Sequence, residues 1–340
     1  MVATPLPAVS VIMPVLNEER HLRTAVERIL EQEYDGAIEV VIALGPSADR
    51  TDEIAAELVA ETAGTAREVH TVPNPTGRTP AALNAAIKGS RFPVVVRVDG
   101  HGLLTPGYIA TAVRLLDEHG AANVGGIMAA EGETEWEKAV AAAMTSRIGV
   151  GNAAFHTGGE AAPADTVYLG VFRREVLEQQ GGYNEEFVRA QDWELNYRIR
   201  EAGGLIWFTP ELEVTYRPRP NVRALAKQYK DYGRWRRVVT RYHRGSVNLR
   251  YLAPPAALVG CAAGLVAGVA LTPVALVVPG GYAAAILLGS LKEGKGLSPA
   301  ARAQLPVALA TMHMSWGWGF LTSPRSLARR VIASTAPRPE

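Results

Sequence analysis

The run Ala8-Val-Ser-Val-Ile-Met13 leads into Pro14-Val-Leu-Asn17-Glu18, after which Leu22, Ala25, Val26, Ile29 and Leu30 recur at helical spacing. A short apolar run, a loop opened by proline and an apolar stripe at i, i+3, i+4, i+7 and i+8 read as strand, loop and amphipathic helix. The unit returns with Ile38 to Leu44 before a helix from about Thr51, and with Glu68 to Val72 before Pro80 to Gly89. It returns again with Val94 to Val98 before Tyr108, Ile109, Ala112, Val113, Leu115 and Leu116. Apolar strands alternating with amphipathic helices predict an α/β fold, a Rossmann-like and mostly parallel sheet with flanking helices.

Sheets of this class bind ligands beyond the carboxyl ends of their strands. The loops after Met13, Leu44, Val72 and Val98 are therefore expected to line a site. They read Pro14-Val-Leu-Asn17-Glu18, Gly45-Pro-Ser-Ala-Asp49, Asn74-Pro-Thr-Gly77-Arg78 and Asp99-Gly-His101. From Ala122 the pattern loosens into a strand to Met128, a helix near Trp136 to Met144 and a glycine-rich loop over Gly149 to Pro163. A strand over Thr166 to Gly170, a helix over Arg173 to Gln180 and a helix over Trp193 to Ala202 follow, with Gly203-Gly204 as a stop and Asp192 placed as an N-cap.

The chain has 340 residues, 48% hydrophobic and 20% charged, which excludes a disordered or fibrous protein. The single cysteine, Cys261, excludes an internal disulfide, and Met1 to Val9 lacks the basic start of a secretory leader, so the bulk of the chain is expected in the cytosol. Residues 1–216 carry 17 Lys or Arg against 31 Asp or Glu, a net of −14, whereas the remainder carries 18 against 3, a net of +15. Two regions with different partners are implied. Tyr251 to Leu291 holds no Asp, Glu, Lys, Arg or His across 41 positions, and a bilayer span needs about 20 apolar residues. The stretch can hold two spans, broken near Thr272-Pro273 or near Pro279-Gly280-Gly281. A third apolar piece, Ala303 to Leu321, has Lys292, Lys295 and Arg302 before it and Arg325, Arg329 and Arg330 after it. Positive flanks on both sides favour a re-entrant or interfacial segment over a third full span.

Residues 217–250 contain Arg217, Arg219, Arg223, Lys227, Lys230, Arg234, Arg236, Arg237, Arg241, Arg244 and Arg250 against the lone acid Asp231, with Tyr229, Tyr232, Trp235 and Tyr242 interleaved. Beside an apolar segment, this composition predicts a helix lying among membrane headgroups rather than a nucleic-acid surface. The resulting plan is a catalytic domain over 1–216, a basic interfacial segment over 217–250, a transmembrane or re-entrant region over 251–322 and a basic cytosolic tail over 323–340.

Asp99 and His101 follow a buried strand with only Gly100 between them, so both side chains can reach one point beyond the sheet; a carboxylate and an imidazole there suit a divalent cation bridging to a diphosphate, or form a plain polar turn. Asp192 can serve as a general base toward a hydroxyl, with Trp193 as a flat apolar surface for a sugar ring; alternatively Asp192 is a cap and Trp193 belongs to the core. Asn17 and Glu18 equally suit a helix start, and Arg78 before Thr79-Pro80 suits a phosphate or the solvent.

In this order the motifs resemble those of family 2 glycosyltransferases with a GT-A fold. Val9-Ser-Val-Ile-Met-Pro14-Val-Leu-Asn17-Glu18-Glu19 is similar to the family's first strand and nucleotide-binding loop, and Arg78-Thr-Pro-Ala-Ala-Leu-Asn84 to the helix after its third strand. Asp99-Gly-His101 stands where the family has its DxD metal motif, and Gln191-Asp192 where it has the ED pair whose Asp is the base. The resemblance covers about residues 8–216, and with the C-terminal apolar region it is nearest the succinoglycan-type glucosyltransferase branch of bacterial exopolysaccharide assembly.

The resemblance implies inverting transfer of a sugar from a nucleotide diphosphate, with Asp192 as base and Asp99 and His101 holding Mg²⁺ or Mn²⁺. Substrate contacts are expected of Pro14, Asn17, Glu18, Arg78, Asp99, Gln191, Trp193, Arg234 and Trp235. Implied partners are a UDP-sugar donor, a lipid-linked (polyprenyl-diphosphate) saccharide acceptor and membrane lipids, but no nucleic acid, at the inner (plasma) membrane with the catalytic domain on the cytosolic face. Five positions depart from the pattern: Leu44-Gly45 replaces an Asp pair, His101 an Asp, Gln191 a Glu, and Asp231 stands at the Gln position of a QxxRW motif ending in Arg234-Trp235. Single rather than processive addition is expected on that last ground. The alternatives are a polyprenyl-phosphate glycosyl synthase, which needs no base for its phosphate nucleophile, and a catalytically silent membrane scaffold that binds a nucleotide sugar. A pyrophosphorylase would need a glycine-rich phosphate loop after the first strand, which Pro14 to Glu18 does not provide.

Overall fold

The computed structural model describes residues 6–243 and 245–335, so Arg244 and the end of the basic tail lie outside the described residues. The chain divides into two units, one of residues 1–129 and 158–215 and one of residues 130–157 and 216–340. The second unit thus takes in residues 130–157 from within the stretch that the linear plan assigns to the catalytic domain.

In the first unit the expected alternation is present as β1 (Val9–Val15), α1 (Leu22–Leu30), β2 (Ile38–Leu44), α2 (Thr51–Thr62), β3 (Arg67–Pro73), α3 (Thr79–Gly89) and β4 (Val94–Arg97). β5 (Leu103–Leu104), α4 (Tyr108–Glu118) and β6 (Asn123–Ala130) follow. The stretch 149–163, expected to be loop, contains parts of two short helical turns and a strand. They belong to the run α5 (Glu135–Met144), α6 (Arg147–Val150) and α7 (Ala154–Thr157), which lie in the second unit, and β7 (Ala162–Pro163), which lies in the first. β8 (Tyr168–Arg173), α8 (Arg174–Gln179), α9 (Gln191–Glu201) and β9 (Ile206–Tyr216) complete the run.

The sheet order is β3-β2-β1-β4-β8-β6-β9-β5, with β7 on β9. β3, β2, β1 and β4 are parallel, whereas β8 runs antiparallel to both β4 and β6, and β5 and β7 run antiparallel to β9. The apolar stripes supply the core: Val11, Met13, Val26, Ile29, Val40, Ile42, Val96, Ile109 and Leu116 are all buried. Strand order reverses between β1 and β4, and at such a reversal the loops from adjacent strand ends part and leave a crevice. Asn17 and Glu18 follow β1 there, and Asp99 and His101 follow β4.

The second unit is helical. α10 (Val222–Tyr242) carries most of the expected basic segment, and α11 (Ala253–Ala270), α12 (Val277–Glu293), α13 (Pro299–Leu321) and α14 (Arg325–Thr335) follow. Two helical stretches, Leu249–Ala270 and Pro273–Glu293, are long and apolar enough to cross a membrane, and little of either is buried. The break falls at Thr272-Pro273, while Pro279-Gly280-Gly281 lies inside α12. α13 differs: Leu305, Ala308, Leu309, Met312 and Phe320 are buried within the unit.

α10 and α13 cross at glycines. A Cβ on Gly319 would lie 1.9 Å from the Lys230 carbonyl oxygen, and one on Gly233 2.0 Å from that of Trp316. Backbone carbonyls cannot yield as side chains do, so Gly319→Leu is expected to destabilise this unit by more than about 3 kcal/mol, beyond ordinary overpacking. A lowered thermal midpoint of the detergent-purified protein, together with faster proteolysis within α13, checks it.

Candidate active site

Arg97 closes β4 among four valines, and its side chain is 4% exposed. A guanidinium buried to that degree needs anionic partners. Its Nε and Nη2 donate to Asp99 Oδ1 at 3.2 and 3.0 Å, and its Nη1 donates to Asp192 Oδ1. Burial works against the charge, but the Asp192 and Asp99 carboxylates more than offset it and hold the Arg97 pKa well above its ordinary value. Burial also raises the pKa of Asp192; Arg97 opposes that rise and the neighbouring Asp99 carboxylate adds to it. The Asp192 side chain remains 36% exposed, so a solvent-borne hydroxyl can reach it.

Asp192 is not a helix cap. The N-cap position of α9 is Ala190, at a left-handed φ of 61°, and Asp192 lies in the first turn, where the helix dipole favours a carboxylate. Gln191 beside it is buried. Trp193, a candidate sugar platform, is 7% exposed and stacked on Tyr197 with ring centroids 5.4 Å apart, so its face belongs to the core.

The loop that brings Asp192 to Arg97 is clamped by Asn84 of α3. The Asn84 amide accepts from the Tyr183 backbone N–H at 2.8 Å and donates to the Tyr183 carbonyl at 2.8 Å and to Glu185 Oε1 at 3.0 Å. Tyr183 is buried, which pushes its phenol well above the usual range and keeps it neutral. Arg78, at the start of the same helix, is half exposed and 3.9 Å from Glu186, and its own loop is set by Gly77 at φ 63°.

On the other side of the reversal, Pro14 lies within β1, paired with Ala43 of β2, and Asn17 sits at φ 56° rather than starting a helix. Its backbone N–H donates to Ser47 Oγ at 3.1 Å and its Oδ1 accepts from the Ala48 N–H at 2.8 Å, while the Glu18 N–H donates to Thr51 Oγ1 at 2.8 Å. The β1 loop is thereby sewn to the β2 loop. Where the family pattern has an acidic pair, a Cβ at Gly45 would lie 3.0 Å from Leu16 Cδ1, leaving little room for a larger side chain. The nearby Asp49 is occupied in accepting from Thr51 Oγ1, the Thr51 N–H and the Glu19 N–H, which holds its pKa low.

Glu18 Oε1 lies 2.7 Å from His101 Nδ1. A Cβ at Gly100 would fall 2.9 Å from Glu18 Cγ, so a larger residue there would push the Glu18 side chain away from the turn between Asp99 and His101. Among the described residues no cluster of three or more His, Cys, Asp or Glu side chains could hold a metal ion. Asp99 and His101 offer one carboxylate and one imidazole beyond a strand end, a donor pair that suits a divalent cation. Arg234 and Trp235 lie on α10 in the second unit, where the Arg234 carbonyl accepts from Ser323 Oγ at 2.9 Å. Neither Arg97, Asn84 nor Tyr183 was among the sequence candidates; an arginine inside an otherwise all-valine strand was the available signal.

Residues 10–181 match Glycosyl transferase family 2. The chain is 32% identical over 328 residues, 94% of its length and 96% of its relative's, to the succinoglycan biosynthesis protein ExoA of Rhizobium meliloti (strain 1021). It is 23% identical over 253 residues, 72% of its length, to 77% of the dolichyl N-acetyl-alpha-D-glucosaminyl phosphate 3-beta-D-2,3-diacetamido-2,3-dideoxy-beta-D-glucuronosyltransferase of Methanococcus voltae. A structure of the mannosyltransferase PcManGT from Pyrobaculum calidifontis, solved with GDP-Man and Mn²⁺, superposes with a TM-score of 0.58 at 19% identity, covering 94% of this chain and 88% of that one. The sheet and its loops are thus those of a GT-A fold. With a family match over half its length and a relative above 30% identity along nearly all of it, the chain belongs to glycosyltransferase family 2 and is a glycosyltransferase.

Replacing Arg97 by methionine leaves two carboxylates facing each other. Arg97→Met is expected to cost about 2–3 kcal/mol in chemical denaturation, below the range for a fully buried pair because Asp99 and Asp192 both reach solvent. Adding Asp192→Asn should restore part of that loss, whereas additive losses would show that the two residues are uncoupled.

Proposed function

We propose that this protein moves a sugar, with inversion, from a nucleotide diphosphate sugar to a hydroxyl of a lipid-linked saccharide in cell-surface or exopolysaccharide synthesis. The observation that carries this reading is the Asp192 carboxylate, solvent-accessible, raised in pKa and held by Arg97 beside Asp99 at the reversal point of the sheet. Asp192 takes the proton of the acceptor hydroxyl as that oxygen forms its bond to the anomeric carbon, while the bond from that carbon to the nucleotide diphosphate breaks on the opposite face. Glu18 orients the His101 ring, and Arg97 keeps Asp192 aimed.

Asp99 and His101 would hold Mg²⁺ or Mn²⁺, which supplies positive charge to the departing diphosphate. Support for a divalent ion comes from the Mn²⁺ in the Pyrobaculum structure. The Rhizobium relative supports a role in exopolysaccharide assembly. The name of the Methanococcus relative describes a sugar attached to a lipid phosphate and a bond to its 3-position, which favours a hydroxyl over a bare lipid phosphate as nucleophile. Only the hydroxyl needs a base. The two apolar stretches support membrane attachment, and the basic residues around them support a catalytic unit on the cytosolic face of the plasma membrane.

Donor binding is measured by calorimetry with UDP, GDP and dTDP sugars, with and without Mn²⁺, and transfer is followed to a lipid-linked acceptor. Asp192→Asn is expected to lower kcat by about 10²- to 10⁴-fold with donor affinity unchanged, and Asp99→Ala to weaken metal-dependent donor binding. Near-normal turnover in Asp192→Asn would remove the base assignment.

The pH profile is a separate check. Asp192 accepts a proton only when ionised, so activity is lost as pH falls through its pKa. Because that pKa is raised in the free enzyme, the acid limb of kcat/KM should lie above about pH 3.9, the ordinary aspartate value.

A further inference from the structure

The second unit contains a groove of about 550 Å³ that the sugar-transfer chemistry does not account for. Arg223, Lys227 and Lys230 of α10 line one side, and Leu258 of α11 with Met314 and Trp318 of α13 line the other. The cations stand at i, i+4 and i+7, the spacing that places side chains on one face of a helix. No carboxylate is among the lining residues. Trp318 is 53% exposed, so its ring is open to an occupant of the groove.

The two walls demand different chemistry from one occupant. Three cationic side chains along one wall suit a head with more than one negative charge, which a diphosphate ester supplies and a single phosphodiester headgroup does not. The opposite wall suits hydrocarbon. It is also continuous with lipid-accessible surface: Leu258 belongs to the membrane-length stretch Leu249–Ala270, whose Val259 and Val266 are exposed. Inorganic phosphate or a free nucleotide would reach the cations and leave Leu258, Met314 and Trp318 uncovered.

Not every cation of α10 is available for such a role. Arg236 lies over the Tyr251 ring at 4.5 Å and Arg237 over the Phe320 ring at 4.8 Å, so these two pack the helix against its own unit. Arg223, Lys227 and Lys230 face the groove instead.

We propose that this groove holds the diphosphate head of one long-chain lipid, its chain lying along Leu258 and Trp318, and that this lipid is the carrier of the saccharide acceptor. The assignment of the carrier rests on the lipid-linked acceptor proposed above. Confinement to the bilayer beside the enzyme then raises the effective concentration of the acceptor without any new contact at the catalytic carboxylate.

The test uses the full chain in phosphatidylcholine nanodiscs carrying a fluorescent polyprenyl diphosphate, with binding read in the absence of donor. The double variant Lys227→Gln, Lys230→Gln is expected to weaken binding about tenfold or more. Lys292→Gln, Lys295→Gln, the same charge loss outside the groove, should leave it unchanged. Trp318→Ala should weaken binding of the long-chain probe more than that of a short-chain diphosphate. Equal loss in both lysine pairs, equal displacement by phosphatidylglycerol or equal displacement by inorganic pyrophosphate would each overturn the proposal, pointing respectively to net charge, a general lipid surface and an aqueous anion site. Because no turnover is read, failure here leaves the transfer reaction standing, and failure of transfer to a lipid-linked acceptor leaves the measured lipid affinity standing.

Discussion

A single guanidinium between two carboxylates sets the geometry of the first unit's polar face. Arg97 ends a strand of valines, and its charge can be kept in that position only if anions come to it. Asp99 is two residues away and arrives with the turn. Asp192 is 95 residues away and arrives only because the loop before α9 is tied down, through the two Tyr183 hydrogen bonds and the Glu185 contact that Asn84 makes. The same requirement explains why the motif over Arg78 to Asn84 reaches further than its first residue. Its arginine is half exposed, whereas its asparagine fixes the approach of the proposed base.

The β1 and β2 loops show a second economy. In the family pattern an acidic pair follows the second strand, but here that loop carries Gly45 close against Leu16, and Asn17, Ser47, Ala48, Asp49 and Thr51 bond to one another across it. The loop is stiffened by its own polar groups. Glu18, held by Thr51, is left aimed at His101, so the imidazole comes with an acidic partner that fixes its ring.

In the second unit, charge and packing divide one helix between them. α10 meets α13 where Gly233 and Gly319 let backbones approach, and the adjoining arginines lie over aromatic rings. A basic run that reads as uniformly headgroup-facing is therefore partly structural. Arg223, Lys227 and Lys230 gather on one face, beside the apolar side chains that line the groove.

Much of the first unit was legible in the chain. The apolar runs of β1, β2 and β4 and helices with a 3.6-residue stripe specified most of the parallel half of the sheet, and the strand-end rule located the loops carrying Asn17, Glu18, Asp99 and His101. The antiparallel half was harder to read, because β5 and β7 are two residues each and β9 has neither an unbroken apolar run nor strict alternation. A 41-residue gap in charge announced the two membrane-length stretches. Those features are local: they follow from side-chain periodicity and from the cost of placing charge in hydrocarbon, both readable in a window of residues. The partners of Arg97, the burial of Trp193, the left-handed Ala190 that makes Asp192 a first-turn residue rather than a cap, and the sorting of α10's cations are not. Each depends on residues tens of positions apart competing for the same buried space, and that competition is decided only when the chain is folded.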